Sequence, residues 1–440
     1  RPRPWTSDAA MQPDDLSAEI ALRADDLATL TRDLIRIPTL NPPGDNYLEI
    51  CEFVAARLAR RGFETQLIRA TGTPGDSETH PRWNLVARWT GGPGPCVHFN
   101  SHIDVVEVGA GWTLDPFEGV IRDGRVYGRG ACDMKGGLAS SIVAAEAFID
   151  LNPYHPGSIE ISATADEETG GYGGVAYLAE QGYFDPERVQ HVIIPEPLNK
   201  DRICLGHRGV WWAEIETKGR IGHGSMPFLG DSAIRHMSAV LTEIEARLYP
   251  ALAARRTEMP VVPDGARSAT LNINSIHGGQ DELPVDFTGF PAPVVADSCR
   301  IVIDRRFLIE EDLAAVKAEI SGLMERIRAT RPEFRYEIRD LHEVVPTMTA
   351  RDAPVVTAVS QAIGEVLGAP PSYVVSPGTY DQKHIDRIGR MKNCIAYGPG
   401  ILDLAHQPDE WVGIDDMVQA AQVMALSLRT LLANRSSAEA

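Results

Sequence analysis

An alternation of short apolar strands with helical segments is the feature that most constrains how this chain folds. Apolar runs recur along the first half of the sequence, at "CVHFN", "ISATA" and "HVIIP". Helical stretches such as "GGLASSIVAAEAFID" separate them. Strands that alternate with helices in this way are typical of a mostly parallel sheet covered by helices, so we predict an α/β fold.

The pattern changes at about Val210 and returns at about Val345. Between these positions the segments follow the order β-α-β-β-α-β, with strands such as "VWWAEIETKG" and "SCRIVIDRRF" and a long amphipathic helix at "IEEDLAAVKAEISGLMERIRAT". This order defines the ferredoxin-like, or split βαβ, unit. We therefore expect a smaller α+β domain inserted into the larger one, with boundaries at residues 16–208, 209–344 and 345–440.

Composition excludes several classes of function. The chain has 440 residues, enough for two cores, and no apolar run long enough to indicate a membrane span. Its formal charge is −19 and its Lys and Arg residues do not cluster, so we expect neither a nucleic-acid nor a membrane partner. Six cysteines without a CxxC spacing predict reduced thiols and a cytoplasmic protein. The first 15 residues lack the apolar core of a secretory signal, and we expect them to form a loose tail.

Polar side chains follow the predicted strands at the points where these strands end. In an open parallel sheet, the loops at the carboxyl ends of the strands form the binding crevice. Acids and imidazoles collect at these ends, together with one acid that precedes a helix: His102, Asp104, Asp133, Asp166, Glu167, Glu168, Glu196 and His406. The stretch "ISATADEETGG" most needs an explanation, because three consecutive negative charges follow directly on a buried strand.

So many carboxylates in one crevice would repel one another and take up protons unless cations neutralise them. Neutral imidazoles and carboxylates are ligands that suit zinc or a neighbouring first-row metal. A single ion does not need this many ligands, whereas two divalent ions about 3.5–4 Å apart, bridged by one carboxylate and one water, would use them. The sequence therefore predicts a site for two divalent metal ions.

The stretch "SHIDVVEVGAGWTLDPFEGVIRDGRVYGRGACDMKGG" resembles the signature of the di-zinc amidohydrolases and metallopeptidases, the family of acetylornithine deacetylase, succinyl-diaminopimelate desuccinylase, aminoacylase and glutamate carboxypeptidase. A later D-E-E-x-G-G, a Glu after the next strand, a G-x-x-x-H in the inserted domain and a late His occur in the family's order. The resemblance spans about residues 30 to 433. It implies that the larger domain is catalytic and that the inserted domain serves as lid and dimerisation domain.

The resemblance implies a role for each metal ligand. One ion would be held by His102 and Glu196. The other ion would be held by Glu168 and His406, and Asp133 would bridge both. The ions would be zinc, with cobalt and manganese as alternatives that the same ligands satisfy.

The resemblance also implies how the ligands are supported. Asp104 would accept a hydrogen bond from the other ring nitrogen of His102 and fix its tautomer. The peptide bond between Asp133 and Met134 would be cis.

Glu167 resembles the family's general base. It would take a proton from the metal-bridging water, and the resulting hydroxide would attack the amide carbonyl. His223 resembles the lid histidine that stabilises the tetrahedral oxyanion, which in dimeric relatives comes from the partner subunit. Substrate contacts would come from four further residues: Arg208, Asn272, Arg306 and Thr379.

Each motif also has an ordinary structural interpretation when taken alone. His102 and Asp104 could form a structural hydrogen bond, and His406 and His223 could be ordinary surface or loop histidines. The acids of residues 166–168 could belong to a solvated loop. Arginines in the inserted domain could form ion pairs within it. The ordered set, and not any single motif, favours the metal site.

These observations predict a metal-dependent hydrolase that cleaves the amide bond of an N-acylated amino acid or related small carboxylated amine, with deacetylase- or desuccinylase-like chemistry. A metallo-carboxypeptidase or dipeptidase using the same site is the alternative. A more distant alternative is a non-catalytic metal-dependent binding protein. The presence of Glu167 argues against this alternative. We expect a homodimer formed through the inserted domain.

Overall fold

The computed structural model describes residues 13–279 and 286–433, and the chain divides into two compact units. The first unit extends to Gly206 and continues over Met348–Val374 and from Tyr380 onward. The second unit comprises His207–Thr347 with Val375–Thr379. The tail predicted over residues 1 to 15 lies almost wholly outside the described residues.

The helices have the following bounds in the described residues: α1 Pro13–Leu22, α2 Ala24–Ile35, α3 Tyr47–Ala59, α4 Gly136–Leu151, α5 Tyr177–Glu180, α6 Ala233–Glu243, α7 Tyr249–Ala253, α8 Leu313–Thr330, α9 Pro354–Leu367, α10 Gln382–Arg387 and α11 Ile414–Ala433. A short π-helical segment covers Ile244–Leu248, and short 3-10 turns cover Glu167–Thr169, Pro227–Leu229, Asp264–Arg267 and Leu402–Leu404. The turns Ala131–Lys135 and Tyr172–Ala176 are irregular, with non-helical backbone at Asp133, Met134 and Gly174.

The strands have these bounds: β1 Glu64–Arg69, β2 Trp83–Gly92, β3 Cys96–His102, β4 Val120–Arg122, β5 Arg125–Tyr127, β6 Gly157–Thr164, β7 His191–Ile194, β8 Arg202–His207, β9 Gly209–Lys218, β10 Thr270–Gly278, β11 Ser298–Phe307, β12 Arg335–Val344, β13 Thr347–Met348, β14 Ser372–Ser376, β15 Cys394–Ala396 and β16 Trp411–Gly413.

The central sheet of the first unit runs in the order β1-β2-β6-β3-β7-β15-β8. Its middle strands β6, β3, β7 and β15 are parallel, whereas β1, β2 and β8 are antiparallel to their neighbours. Every residue of β3, β6 and β7 is buried, and α4 packs against both β3 and β6. The predicted mostly parallel, helix-covered sheet is thus confirmed, with antiparallel strands at its margins.

The second unit is a four-stranded antiparallel sheet in the order β10-β11-β9-β12, with α6 and α8 between its strands along the chain. Alternate residues of β9 (Trp211, Ala213 and Ile215) are buried in its core. Ser232 caps α6 and Asp312 caps α8, each accepting a backbone N–H bond three residues on, which satisfies a free donor at the helix start. The predicted ferredoxin-like arrangement is confirmed.

Two segments with helical periodicity differ from the single regular helices that this periodicity predicts. Residues 18–37 form α1 and α2, which are separated at Arg23, and the Arg23 guanidinium pairs with Glu19 and Asp150. The stretch "GYGGVAYLAEQG" is regular only in α5. Its start is irregular because the chain passes so near β6 that a Cβ at Gly174 would lie 1.8 Å from the Ala165 carbonyl oxygen.

All six cysteines are buried, and none forms a disulfide within residues 13–279 and 286–433. Among the helices of residues 13–279 and 286–433, none is long and apolar enough to cross a membrane.

Candidate metal centre

Three parallel strands bring the predicted ligands to one edge of the central sheet. β3 ends at His102, which lies in register with Thr164 at the end of β6, and β7 lies on the other side of β3. The turn Glu167–Thr169 follows β6, and Glu196 follows β7 by two residues. Level strand ends therefore place these acids around His102.

Asp133 reaches the same edge from the start of α4. A Cβ at Gly137 would lie 1.9 Å from the carbonyl oxygen of Pro195, so only glycine lets the first turn of α4 pass this close to the chain after β7. The peptide bond between Asp133 and Met134 is cis, as predicted.

The five predicted ligands form two groups that share Asp133. In the first group, His102 Nε2 lies 3.0 Å from Asp133 Oδ1 and 3.9 Å from Glu196 Oε1. In the second, His406 Nε2 lies 3.4 Å from Asp133 Oδ2 and 3.0 Å from Glu168 Oε1. Potential ligand atoms of His102, Asp133 and Glu168 all lie within 4.8 Å of one another. Different oxygens of one carboxylate thus face the two groups.

The ring of His102 has an oxygen acceptor at each nitrogen. Its Nδ1 lies 3.0 Å from the main-chain oxygen of Asp104, which can only accept a hydrogen bond, so Nδ1 carries a proton. Its Nε2 lies 3.0 Å from Asp133 Oδ1 and faces Glu196. With a proton fixed on Nδ1, Nε2 is the nitrogen that a metal ion would take in place of that contact.

The carboxylate of Asp104 lies beside the His102 ring and also orders the acidic turn. Its Oδ1 lies 3.6 Å from His102 Nδ1, farther than the main-chain oxygen of the same residue. Oδ1 accepts the backbone N–H of Glu167 at 3.0 Å, and Oδ2 accepts the backbone N–H of Glu168 at 3.0 Å and a bond of 2.8 Å from Asn41. Asp104 therefore fixes the His102 tautomer through its backbone and the acidic turn through its side chain.

Burial makes two of the three carboxylates of the centre, Glu168 and Glu196, unfavourable as free anions. Burial raises the pKa of Glu168 to about 7, and the charge of Asp133 contributes. Burial, followed by the charge of Asp133, raises the pKa of Glu196 well above its usual range. Nearby positive charge would stabilise the ionised forms of both. Two imidazoles and three carboxylates are a donor set that suits divalent transition metals.

Glu167 has a buried lysine as the partner of its carboxylate. Its Oε1 lies 3.3 Å from Nζ of Lys383, the side chain of which is 2% exposed. Burial lowers the pKa of Lys383, but the carboxylates of Glu167 and Asp381 outweigh this effect and raise it overall. Lys383 is therefore a cation that holds the Glu167 carboxylate.

Asp166, the first of the three acids after β6, was expected among the acids of the crevice, but its carboxylate is bound by other side chains. Its carboxylate accepts a 2.9 Å bond from Arg82 Nε and a 3.0 Å bond from the hydroxyl of Tyr47. Its backbone has φ of +63°, a left-handed conformation that Asp tolerates better than most residues. The residue thus forms the turn that directs Glu167 and Glu168 to different partners.

His223 lies in the second unit, in the chain after β9, and is exposed. Its Nδ1 accepts the backbone N–H of Ser225 at 3.1 Å, so the ring proton of the neutral form is on Nε2. The imidazole therefore presents a hydrogen-bond donor.

The predicted substrate contacts of the second unit have partners within that unit. Arg306 forms a two-point ion pair with Asp304, at 2.7 and 3.0 Å. Asn272 lies opposite Asp304 in the sheet, on the face away from the core, and bonds to Asn274. Thr379 is half-buried.

Arg208 is held more tightly than Arg306. Its guanidinium donates to the carbonyl oxygens of Pro377, Ala266 and Ser268 at 2.9 to 3.2 Å. Burial, with the charge of Arg306 second, lowers its pKa to about 10.

Comparisons with known proteins agree with this geometry. The family whose sequence model matches residues 98–430 is described as peptidase family M20/M25/M40. A succinyl-diaminopimelate desuccinylase from Nitrosospira multiformis is 30% identical over 403 residues, which cover 90% of this chain and 95% of that protein.

Solved structures share the fold over nearly the whole chain. Human carnosine dipeptidase 1 superposes with a TM-score of 0.75 at 19% identity, covering 96% of this chain and 99% of that one. A dinuclear metal-binding peptidase of the M20 family from Bacillus subtilis superposes with a TM-score of 0.65 at 16% identity, covering 93% and 99%.

Proposed function

The chain belongs to peptidase family M20/M25/M40, and on this basis we propose that it is a metal-dependent amidohydrolase that cleaves the amide bond of an N-acylated amino acid or a related small carboxylated amine. The observation that carries the proposal is the convergence of His102 and Asp133 with Glu168, Glu196 and His406 at one sheet edge. The relative named for desuccinylation supports an acylated amine as substrate.

The proposed cofactor is a pair of divalent metal ions, most simply zinc, with cobalt or manganese as alternatives. His102 and Glu196 would hold one ion, Glu168 and His406 the other, and Asp133, with one oxygen toward each group, would bridge them. Bound there, the ions would lower the pKa of a water toward neutrality and polarise the amide carbonyl.

Glu167 is the proposed proton carrier. It takes a proton from the attacking water, the water oxygen forms a bond to the amide carbon, and Glu167 then protonates the departing nitrogen. Its position supports this role, because its backbone N–H donates to Asp104 and its carboxylate accepts from Lys383, and these two bonds fix where the side chain lies.

His223 is the proposed oxyanion donor. The negative charge that forms on the amide oxygen needs a hydrogen-bond donor, and the Ser225 N–H bond to Nδ1 leaves the proton of the neutral ring on Nε2. Arg208, Asn272, Arg306 and Thr379 are the proposed contacts for the substrate, with Arg306 the proposed partner of its carboxylate.

A peptidase activity is the second candidate, because human carnosine dipeptidase 1 has the same fold. A dipeptide is itself an N-acylated amino acid, so the same residues would act on it in the same order. The size and charge of the acyl group distinguish the two candidates.

The protein is also proposed to be a cytoplasmic homodimer. Six buried cysteines, none of them in a disulfide within the described residues, support a reducing compartment. β10 is an edge strand of the second unit's sheet and carries Ile276, which is 53% exposed, and Phe228 of the same unit is 77% exposed. An edge strand with exposed apolar residues is a surface suited to pairing with a second copy.

A hydrolysis screen tests the proposal. Purified protein is incubated with zinc and acetyl-, succinyl-, formyl- and carbamoyl-amino acids, and with dipeptides, and the released amine is measured. Glu167→Ala, purified identically, controls for contaminating hydrolases. We expect turnover of at least one N-acyl amino acid that the variant lacks. Hydrolysis of dipeptides alone would favour the second candidate, and equal turnover by wild type and variant would refute the assignment.

A further inference from the structure

Glu410 is a buried acid that contacts the segment carrying the bridging ligand. The residue is 1% exposed, and its Oε1 accepts backbone N–H bonds from Cys132 at 2.8 Å and from Asp133 at 3.0 Å. Two donors on one oxygen fix the direction in which the chain leaves Gly130. That direction sets where the Asp133 carboxylate lies.

Arg129 is the partner of Glu410 and contacts the segment carrying another ligand. It is 1% exposed, and its Nη1 donates to Glu410 Oε2 at 2.6 Å. The same guanidinium donates to the carbonyl oxygens of His406 and Gln407, each at 3.3 Å. Nη2 also reaches the carbonyls of Glu107 and Val108, at 3.2 and 3.1 Å. One side chain thus joins three loops.

The backbone of His406 needs such support. Its φ is +63°, in the left-handed region that non-glycine residues seldom adopt. A conformation of this kind persists where neighbouring contacts fix it, and the Arg129 bond to its carbonyl is one of them.

We propose that Arg129 and Glu410 are a positioning pair, which holds the Asp133 and His406 segments at the separation that a shared metal centre requires. The inference rests on the proposed function. The pair touches neither substrate nor metal, and acts only through the backbones of the two ligands. Because a buried ion pair is a weak source of stability, its presence here is better explained by the geometry that it imposes.

A second buried pair provides the control. Glu146, also 1% exposed, accepts bonds of 2.9 and 2.7 Å from Arg57 in the same unit. Neither residue is bonded to a residue of the metal centre among the contacts of residues 13–279 and 286–433. Glu146→Gln therefore reproduces the loss of a buried charge without the loss of positioning.

The experiment compares zinc affinity in wild type, Glu410→Gln, Arg129→Lys and Glu146→Gln. Glutamine has one oxygen where glutamate has two, so it cannot serve both the backbone donors and the guanidinium. Lysine has a single nitrogen and cannot span the carboxylate and four carbonyls. Dissociation constants are measured on metal-free protein by competition with a chelating dye, after circular dichroism confirms folding.

We expect Glu410→Gln and Arg129→Lys to bind zinc about 10- to 100-fold more weakly than wild type, and Glu146→Gln to bind as wild type does. If Glu410→Gln does not fold, Arg129→Lys decides. The inference would be overturned if folded Glu410→Gln and Arg129→Lys bound zinc as tightly as wild type, or if Glu146→Gln lost as much zinc affinity as they do. Either result would leave the proposed function intact. Absence of zinc binding by wild type would instead refute the proposed function.

Discussion

The strand ends of the first unit and the outer face of the second unit's sheet both carry residues that the sequence assigned to function, but they differ in what surrounds those residues. In the metal centre of the first unit, the charged partners of the ligands are other ligands: His102 lies next to Asp133, and His406 lies next to Glu168 and Asp133. On the sheet of the second unit, Arg306 is already paired with Asp304. Arg208 likewise donates to three carbonyls.

The two regions therefore differ in whether their side chains are already free to bind a ligand. The acids of the first cluster are buried near one another, which raises the pKa of Glu168 and Glu196 and favours a cation from outside the chain. The arginines of the second unit must exchange or share a partner before they bind a substrate carboxylate. Substitutions should therefore have larger effects in the first cluster than on that sheet.

Glu167→Ala should have the largest effect on turnover. Removal of a general base typically costs about 100- to 10,000-fold in rate, and we expect kcat to fall in that range while zinc content stays at the wild-type level. Steady-state kinetics and elemental analysis measure both quantities. Glu168→Ala is the matched control, since the neighbouring residue should lose metal as well. Loss of metal in Glu167→Ala would remove the distinction between the two acids.

His223→Ala should be next in size. A lost oxyanion donor costs about 100- to 1,000-fold in kcat, and the effect should appear with little change in KM. His277→Ala, an exposed histidine of the same unit, should retain full activity. Equal kinetics for the two variants would show that His223 contributes no donor.

Lys383→Met should reduce kcat by about 10- to 100-fold, because it removes one charged hydrogen bond, worth about 1.5–3 kcal/mol, from Glu167. Lys383→Arg keeps the charge and should recover part of the activity. Lys200→Met removes an ion pair with Asp416 in the same unit and serves as control. Full activity in Lys383→Met would mean that Glu167 is positioned by its backbone alone.

Arg306→Ala should have the smallest effect. An arginine that already holds Asp304 contributes little net energy to a new partner, so we expect KM to rise by less than about tenfold with kcat unchanged. Arg300→Ala on the same strand is the control. A fall in kcat of more than about a hundredfold would contradict the comparison, because a substitution on the second unit's sheet would then affect kcat as strongly as one in the metal centre.

The fold was largely predictable because its signals are periodic. Buried runs such as β3 and β7 read as parallel strands, and the half-exposed strand β9 shows the alternation of an antiparallel sheet. The antiparallel margins of the central sheet were not predictable. Sequence periodicity reports burial, not strand direction. The helix break at Arg23 was not predictable either, and the Arg23 side chain there pairs with Asp150, a residue far away in the sequence.

The site was predictable where chemistry limits the choice of residue, and less so where geometry does. A metal ligand must be a His or an acid at a strand end, so His102 and Glu196 stand out. A supporting group can be any polar residue from anywhere in the chain. Lys383 and Glu410 act from distant segments, and the contribution of Asp104 through its main-chain oxygen leaves no trace in the sequence.

Metal content is the most direct test of the central claim, that the five strand-end side chains bind two divalent ions. Wild type and Asp133→Ala are loaded with zinc and dialysed against metal-free buffer. Their zinc content is measured by inductively coupled plasma mass spectrometry, and the protein is quantified by amino-acid analysis. The account predicts two ions per wild-type chain and loss of metal in the variant. No retained metal in wild type, or two ions in Asp133→Ala, would contradict it.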